Sequence, residues 1–149
     1  MNRIMRRVVG VVATAALAPI LLSATAQADP GPVYFSVGSI NCAIAADGTV
    51  GCDFGYPTRL QYSFLPFPFS VNDIVIDQPW LPAHPTFGSG AAFTLPDGNP
   101  SLDSVKTGSG QWGPFIEYAG SRCAAGFHGS FGCQSKGRAF TAYSGTISA

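Results

Sequence analysis

The residues that could do chemistry in this chain are few. There are two histidines, His84 and His128, and four cysteines. A histidine beside a carboxylate is the minimal general base of a small hydrolase, so His84 or His128 with a neighbouring acid is one reading. A metal centre needs three or four ligands; two isolated histidines, with the cysteines expected to be oxidised, do not supply them. His128 reads as a solvated turn residue and His84, between prolines and near Trp80, as a structural loop histidine. Asp73, Asp77, Asp97, Asp103 and Glu117 could include a glycosidase pair, but spacing does not say which two are close, and most read as surface charges. No Gly-x-Ser-x-Gly elbow, phosphate loop or dinucleotide fingerprint is present. Asp97-Gly98-Asn99 resembles half a calcium loop without the ligands after the glycine, and reads as a turn.

The cysteines carry a clearer pattern. Cys42 and Cys52 bracket nine residues, and so do Cys123 and Cys133. Laid over each other, the two runs share both cysteines, Ala43 with Ala124, Gly48 with Gly129, and Gly51 with Gly132. A hairpin with a three-residue loop places a left-handed residue last, which suits Gly48 and Gly129. Counting outward, Ala45 pairs with Thr49 and Cys42 with Cys52; Gly126 pairs with Ser130 and Cys123 with Cys133. Both cysteine pairs are then directly opposed, within disulfide reach. Four cysteines allow three connectivities. Chain entropy favours a bridge between the hairpins, at about 4.5 kcal/mol against about 2.5 to 3 within one. Local register favours Cys42–Cys52 and Cys123–Cys133.

The elements that must hold these residues follow from the rest of the chain. Residues 1–28 read as a signal peptide: Arg3, Arg6 and Arg7 lead an apolar stretch over 8–22, and Ala26-Gln27-Ala28 forms a small-x-small cleavage pattern. The apolar stretch is shorter than the roughly 20 residues of a spanning helix. Residues 29–149 form a single domain, in which five basic residues stand against eight acidic ones, a net charge near −3. No basic cluster remains to neutralise nucleic-acid phosphates. Paired cysteines on an exported chain fit an oxidising compartment.

Short β-prone runs broken by Gly and Pro predict an all-β fold: a small antiparallel sandwich or barrel-like domain with two disulfide-stapled hairpins. Strands are expected over 33–37, 40–45, 49–54, 60–64, 71–77, 91–95, 115–118, 121–125 and 138–143, with a short one at 104–106 and a Ser/Thr/Gly tail at the end. Phe64-Leu65-Pro66-Phe67-Pro68-Phe69 cannot donate a full ladder and must be an edge or an extended crossing. Its three rings either fill the core beneath a loop or form, with Trp80, an exposed surface for a partner or lipid.

Ser39-Ile40-Asn41-Cys42-Ala43-Ile44 with Val50-Gly51-Cys52-Asp53-Phe54, and Gly129-Ser130-Phe131-Gly132-Cys133 with Gly137-Arg138-Ala139-Phe140 and Tyr143, resemble the two ends of a group of small, uncharacterised, cysteine-paired secreted proteins and lipoproteins of mycobacteria and related actinobacteria. The resemblance implies location and a disulfide framework. The middle of the chain lacks the extra cysteine pair of many such proteins, and Ala139 stands where a glycine is common. The resulting expectation is a monomeric, secreted or envelope-associated, non-enzymatic β domain without cofactor or metal. It would contact an envelope or extracellular partner through Phe64, Phe67, Phe69 and Trp80. The alternatives are the His84 or His128 hydrolase and a carrier for an apolar ligand.

Overall fold

The computed structural model describes residues 30–86 and 93–149; the expected signal peptide lies outside them. The strands are β1 (Val33–Val37), β2 (Ile40–Ile44), β3 (Val50–Gln61), β4 (Phe69–Ile76), β5 (Gly108–Gly110), β6 (Gly113–Tyr118), β7 (Ser121–Ala125), β8 (Phe131–Ser135), β9 (Arg138–Tyr143) and β10 (Thr146–Ser148). One helical turn, α1 (Leu102–Val105), precedes β5 and is capped by Ser101, whose hydroxyl accepts from the Ser104 amide. It stands where a short strand at 104–106 was expected. The strands form one sheet that curls into a half-barrel.

The two cysteine hairpins have the expected register. Cys42 opposes Cys52 and Cys123 opposes Cys133; both pairs are bridged within their own hairpin, with Cα atoms 4.1 Å apart. The Ala45 amide donates to the Thr49 carbonyl, and the Gly126 amide to that of Ser130. The turns reach this register differently. Gly48 alone takes positive φ in the first tip, whereas His128 and Gly129 both do in the second. His128-Gly129 is thus a tight primed turn, the kind whose twist matches the strands, and Phe127 is the extra residue.

The echo between the hairpins is the visible part of a larger repeat. Strands β1 to β4 form one antiparallel meander and β6 to β9 another. Across the first, Phe35, Cys42, Cys52 and Ile74 stand in one row; across the second, Ile116, Cys123, Cys133 and Phe140 do. None of these side chains is more than 2% exposed. Both rows face one core, where the Phe35 ring meets Phe131 edge-on at 6.2 Å and Phe131 meets Phe140 at 6.3 Å. The disulfides therefore serve as buried apolar volume as well as cross-links.

Two departures from the sequence reading concern long strands. Residues 60 and 61 continue β3 rather than starting a new strand. Between Asp53 and Thr58 the ladder with β4 slips; there Gly55 takes a φ of 67° and gives its amide to the Asp53 carboxylate at 2.9 Å, while Pro57 has no amide to offer. The strand bends, leaves β2 and takes a new partner. That partner is β10, the expected tail, which lies parallel to β3 and antiparallel to β9, with Ile147 fully buried. The tail thus joins the two meanders. The expected strand over 91–95 lies partly outside the described residues; Phe93 and Thr94 are in a turn. Phe93 covers the outer face at Gly51, where a Cβ would meet its ring at 2.0 Å.

Candidate functional site

Two places hold side chains singled out by the sequence, and a third does not follow from it. The first is the Pro–Phe segment. Phe64 and Phe67 are 65% and 60% exposed, Trp80 is 68% exposed, and Phe69 is half-buried at the start of β4. This exposure corrects, for Phe64 and Phe67, the reading in which the rings fill the core, while Phe69 packs against it. Tyr62 takes the core position instead, with Phe64 stacked on it at 4.9 Å and Phe69 tilted against it at 5.8 Å. Burial pushes the Tyr62 phenol up from its ordinary value, and its hydroxyl donates to the Ala83 carbonyl at 2.8 Å. Gln61 clamps the loop by donating to the carbonyls of Tyr62 and Leu65 at 2.8 and 2.7 Å. Tyr62 thereby ties the Phe64 loop to the segment carrying Trp80, which Arg138 also holds through the Pro79 carbonyl at 2.8 Å.

The second is His84. A β-bridge with Val75 carries it to Asp77, whose carboxylate lies 3.0 Å from Nε2. Its Nδ1 lies 3.1 Å from the Pro85 carbonyl. Both ring nitrogens therefore lie beside oxygen acceptors. His128 is exposed at the second hairpin tip with its ring 3.8 Å from that of Phe127.

The carboxylates are distributed rather than gathered. Asp73 is 3% exposed and accepts from the amide and hydroxyl of Thr86. Directly across the ladder stands Asp53, a juxtaposition that spacing did not reveal. Asp103 pairs with Lys106 at 2.8 Å and Glu117 with Arg122. Among the described residues no group of three or more His, Cys, Asp or Glu could hold a metal. No described helix is long and apolar enough to cross a membrane.

The third place was not anticipated. An open cleft of about 260 Å³ lies where the turn between β1 and β2, the bend of β3, the second hairpin tip and the turn between β9 and β10 converge. Tyr56 and Tyr143, 50% and 53% exposed, belong to its lining, with Phe54 and Phe131 at its floor. At the second hairpin tip, exposed Trp112 meets exposed Phe127 edge-on at 4.6 Å. The walls of the cleft come from strand ends and turns far apart in the chain, so no local motif marks it. No family model matches the chain, and neither a curated protein nor a solved structure matches it.

Proposed function

We propose that this protein is a secreted or cell-envelope-associated binding domain that acts by surface contact and not by catalysis. The contacting surface is the Pro–Phe segment with Trp80. The observation that carries this reading is the exposure of Phe64, Phe67 and Trp80 on a loop that Gln61 and Tyr62 hold in place. Large rings on a pre-ordered loop lose little entropy on binding, and aromatic anchors supply most interface energy. The two formed disulfides support an oxidising compartment. The likeness of both ends to small secreted actinobacterial proteins points the same way.

The test is co-sedimentation of the mature chain with envelope preparations from its host. The triple change Phe64→Ser, Phe67→Ser, Trp80→Ser should weaken retention by about tenfold or more, while His84→Ala with His128→Ala leaves it unchanged. Retention of the triple variant at the parent level overturns the reading. The His84–Asp77 contact favours a small hydrolase as the second reading, for which the histidine variant would be the inactive one.

A further inference from the structure

The two hairpin tips hold equivalent places in the repeat and differ in their surroundings. The first is plugged into the other meander: the Gly48 carbonyl accepts from Ser121 Oγ at 2.7 Å and from Ser135 Oγ, both buried. Lys136 reaches over to Thr49 Oγ1 at 3.1 Å and to the Asp77 carbonyl at 2.9 Å. At the other end of the repeat, the matching position is the open cleft beside Gly129. The first tip is thus docked by hydrogen bonds, whereas the second borders an open cleft.

The open end has a particular chemistry. None of the residues lining the cleft is charged. The hydroxyl residues Ser39, Ser144 and Thr146 line it together with Tyr56 and Tyr143, which stand half-exposed, while Thr58 is buried and donates its hydroxyl to the Tyr56 carbonyl. Tyrosines offer a flat apolar face and a polar tip at little entropic cost. We infer that this cleft binds a single ring of a neutral carbohydrate, its C–H face on a tyrosine ring and its hydroxyls on the Ser and Thr side chains. Its volume of about 260 Å³ suits one sugar ring better than a drug-sized molecule, whose sites begin at about 300 Å³. A charged ligand would find no counter-charge among the lining residues. An acyl chain would face hydroxyls and remain half in water. An extended peptide added as a strand needs a free sheet edge; of the strands that reach the cleft only β1 is an edge, and near the cleft its outer side is already bridged at Ser36 to Ser101. No residue of the Pro–Phe segment lines it, so this site and the proposed contact surface stand or fall separately.

The test titrates the mature chain with glucose, galactose, mannose, maltose and lactose, with glucuronic acid as the charged control and a proline-rich peptide as the competing ligand class. Two-dimensional NMR follows the ring signals of Tyr56 and Tyr143. At least one neutral sugar should saturate with a Kd of about 1 mM, shifting those rings. Tyr56→Ala and Tyr143→Ala should each weaken it by about tenfold, while Phe67→Ser does not. No saturation by about 50 mM, shifts confined to other residues, equal affinity for glucuronic acid, or binding of the peptide alone overturns the inference. Shift mapping on the parent protein answers the question if a tyrosine variant misfolds.

Discussion

Gly48 and Gly129 hold the same place in the two hairpins, with φ of 83° and 79°, which makes them an internally controlled experiment. Alanine at either must adopt a left-handed conformation, at about 1 kcal/mol. At Gly129 nothing lies within 4 Å of the added Cβ, so that is the whole expected cost. At Gly48 the Cβ would stand 2.7 Å from the Ala119 carbonyl oxygen and 3.3 Å from Ser121 Oγ. Backbone must move, and the Ser121 and Ser135 bonds to the Gly48 carbonyl are disturbed with it. Weakening buried hydrogen bonds adds about 1 to 3 kcal/mol, so Gly48→Ala should cost about 2 to 4 in total. For a domain of this size, with about 4 °C per kcal/mol, Tm should fall by about 4 °C in Gly129→Ala and by about 8 to 16 °C in Gly48→Ala. Urea unfolding with disulfides intact and an unchanged slope reads the same difference. Equal losses in the two variants would refute the claim that one tip is docked and the other free.

Ile147→Ala should cost about 3 kcal/mol, as for a core residue, since Ile147 is fully buried; a change within about 0.5 kcal/mol would mean the last strand is not part of the core. Removing either bridge, by Cys42→Ala with Cys52→Ala or Cys123→Ala with Cys133→Ala, opens a loop of the same sequence separation, 10. Each should therefore lose a similar chain-entropy contribution of about 2.8 kcal/mol, and equilibrium unfolding that finds either variant as stable as the parent would contradict this. Burial raises the Tyr62 phenol, so its contribution is complete below about pH 10 and is lost as pH rises through the folded value. Tyr62→Phe should flatten that alkaline limb in a stability–pH profile, while losing about 1 kcal/mol with the bond to Ala83. Asp47 behaves oppositely: bonds from the Thr49 amide and hydroxyl, then Lys136, hold its carboxyl below the ordinary range. Its contribution is present above about pH 3.9 and lost as pH falls through the lower folded value, and Asp47→Asn should remove that acid dependence.

The short-range features were legible in the residues. Ala45 with Thr49 and Gly126 with Ser130 follow from loop length and glycine placement, and the cysteine pairing follows from them by counting. The second tip departs only in its turn, because His128 joins Gly129 at positive φ. The site was less legible. His84 meets Asp77 through a β-bridge to Val75 that periodicity does not mark. The cleft gathers turns at either end of the chain. The identity of the buried ring could not be read either, since Tyr62 and Phe64 lie two apart and compete for one core position.

Local turn chemistry and two-residue alternation determine the cysteine framework, the all-β class and the hairpin registers without reference to tertiary contacts. Long-range packing alone decided that the C-terminal Thr146–Ser148 segment lies parallel beside β3, that Tyr62 is covered while Phe64 and Phe67 are bare, and that one hairpin tip is sealed while its twin borders a cleft. The reason is physical. A turn's energy depends on the few residues within it, whereas burial depends on which distant surface arrives to cover a side chain.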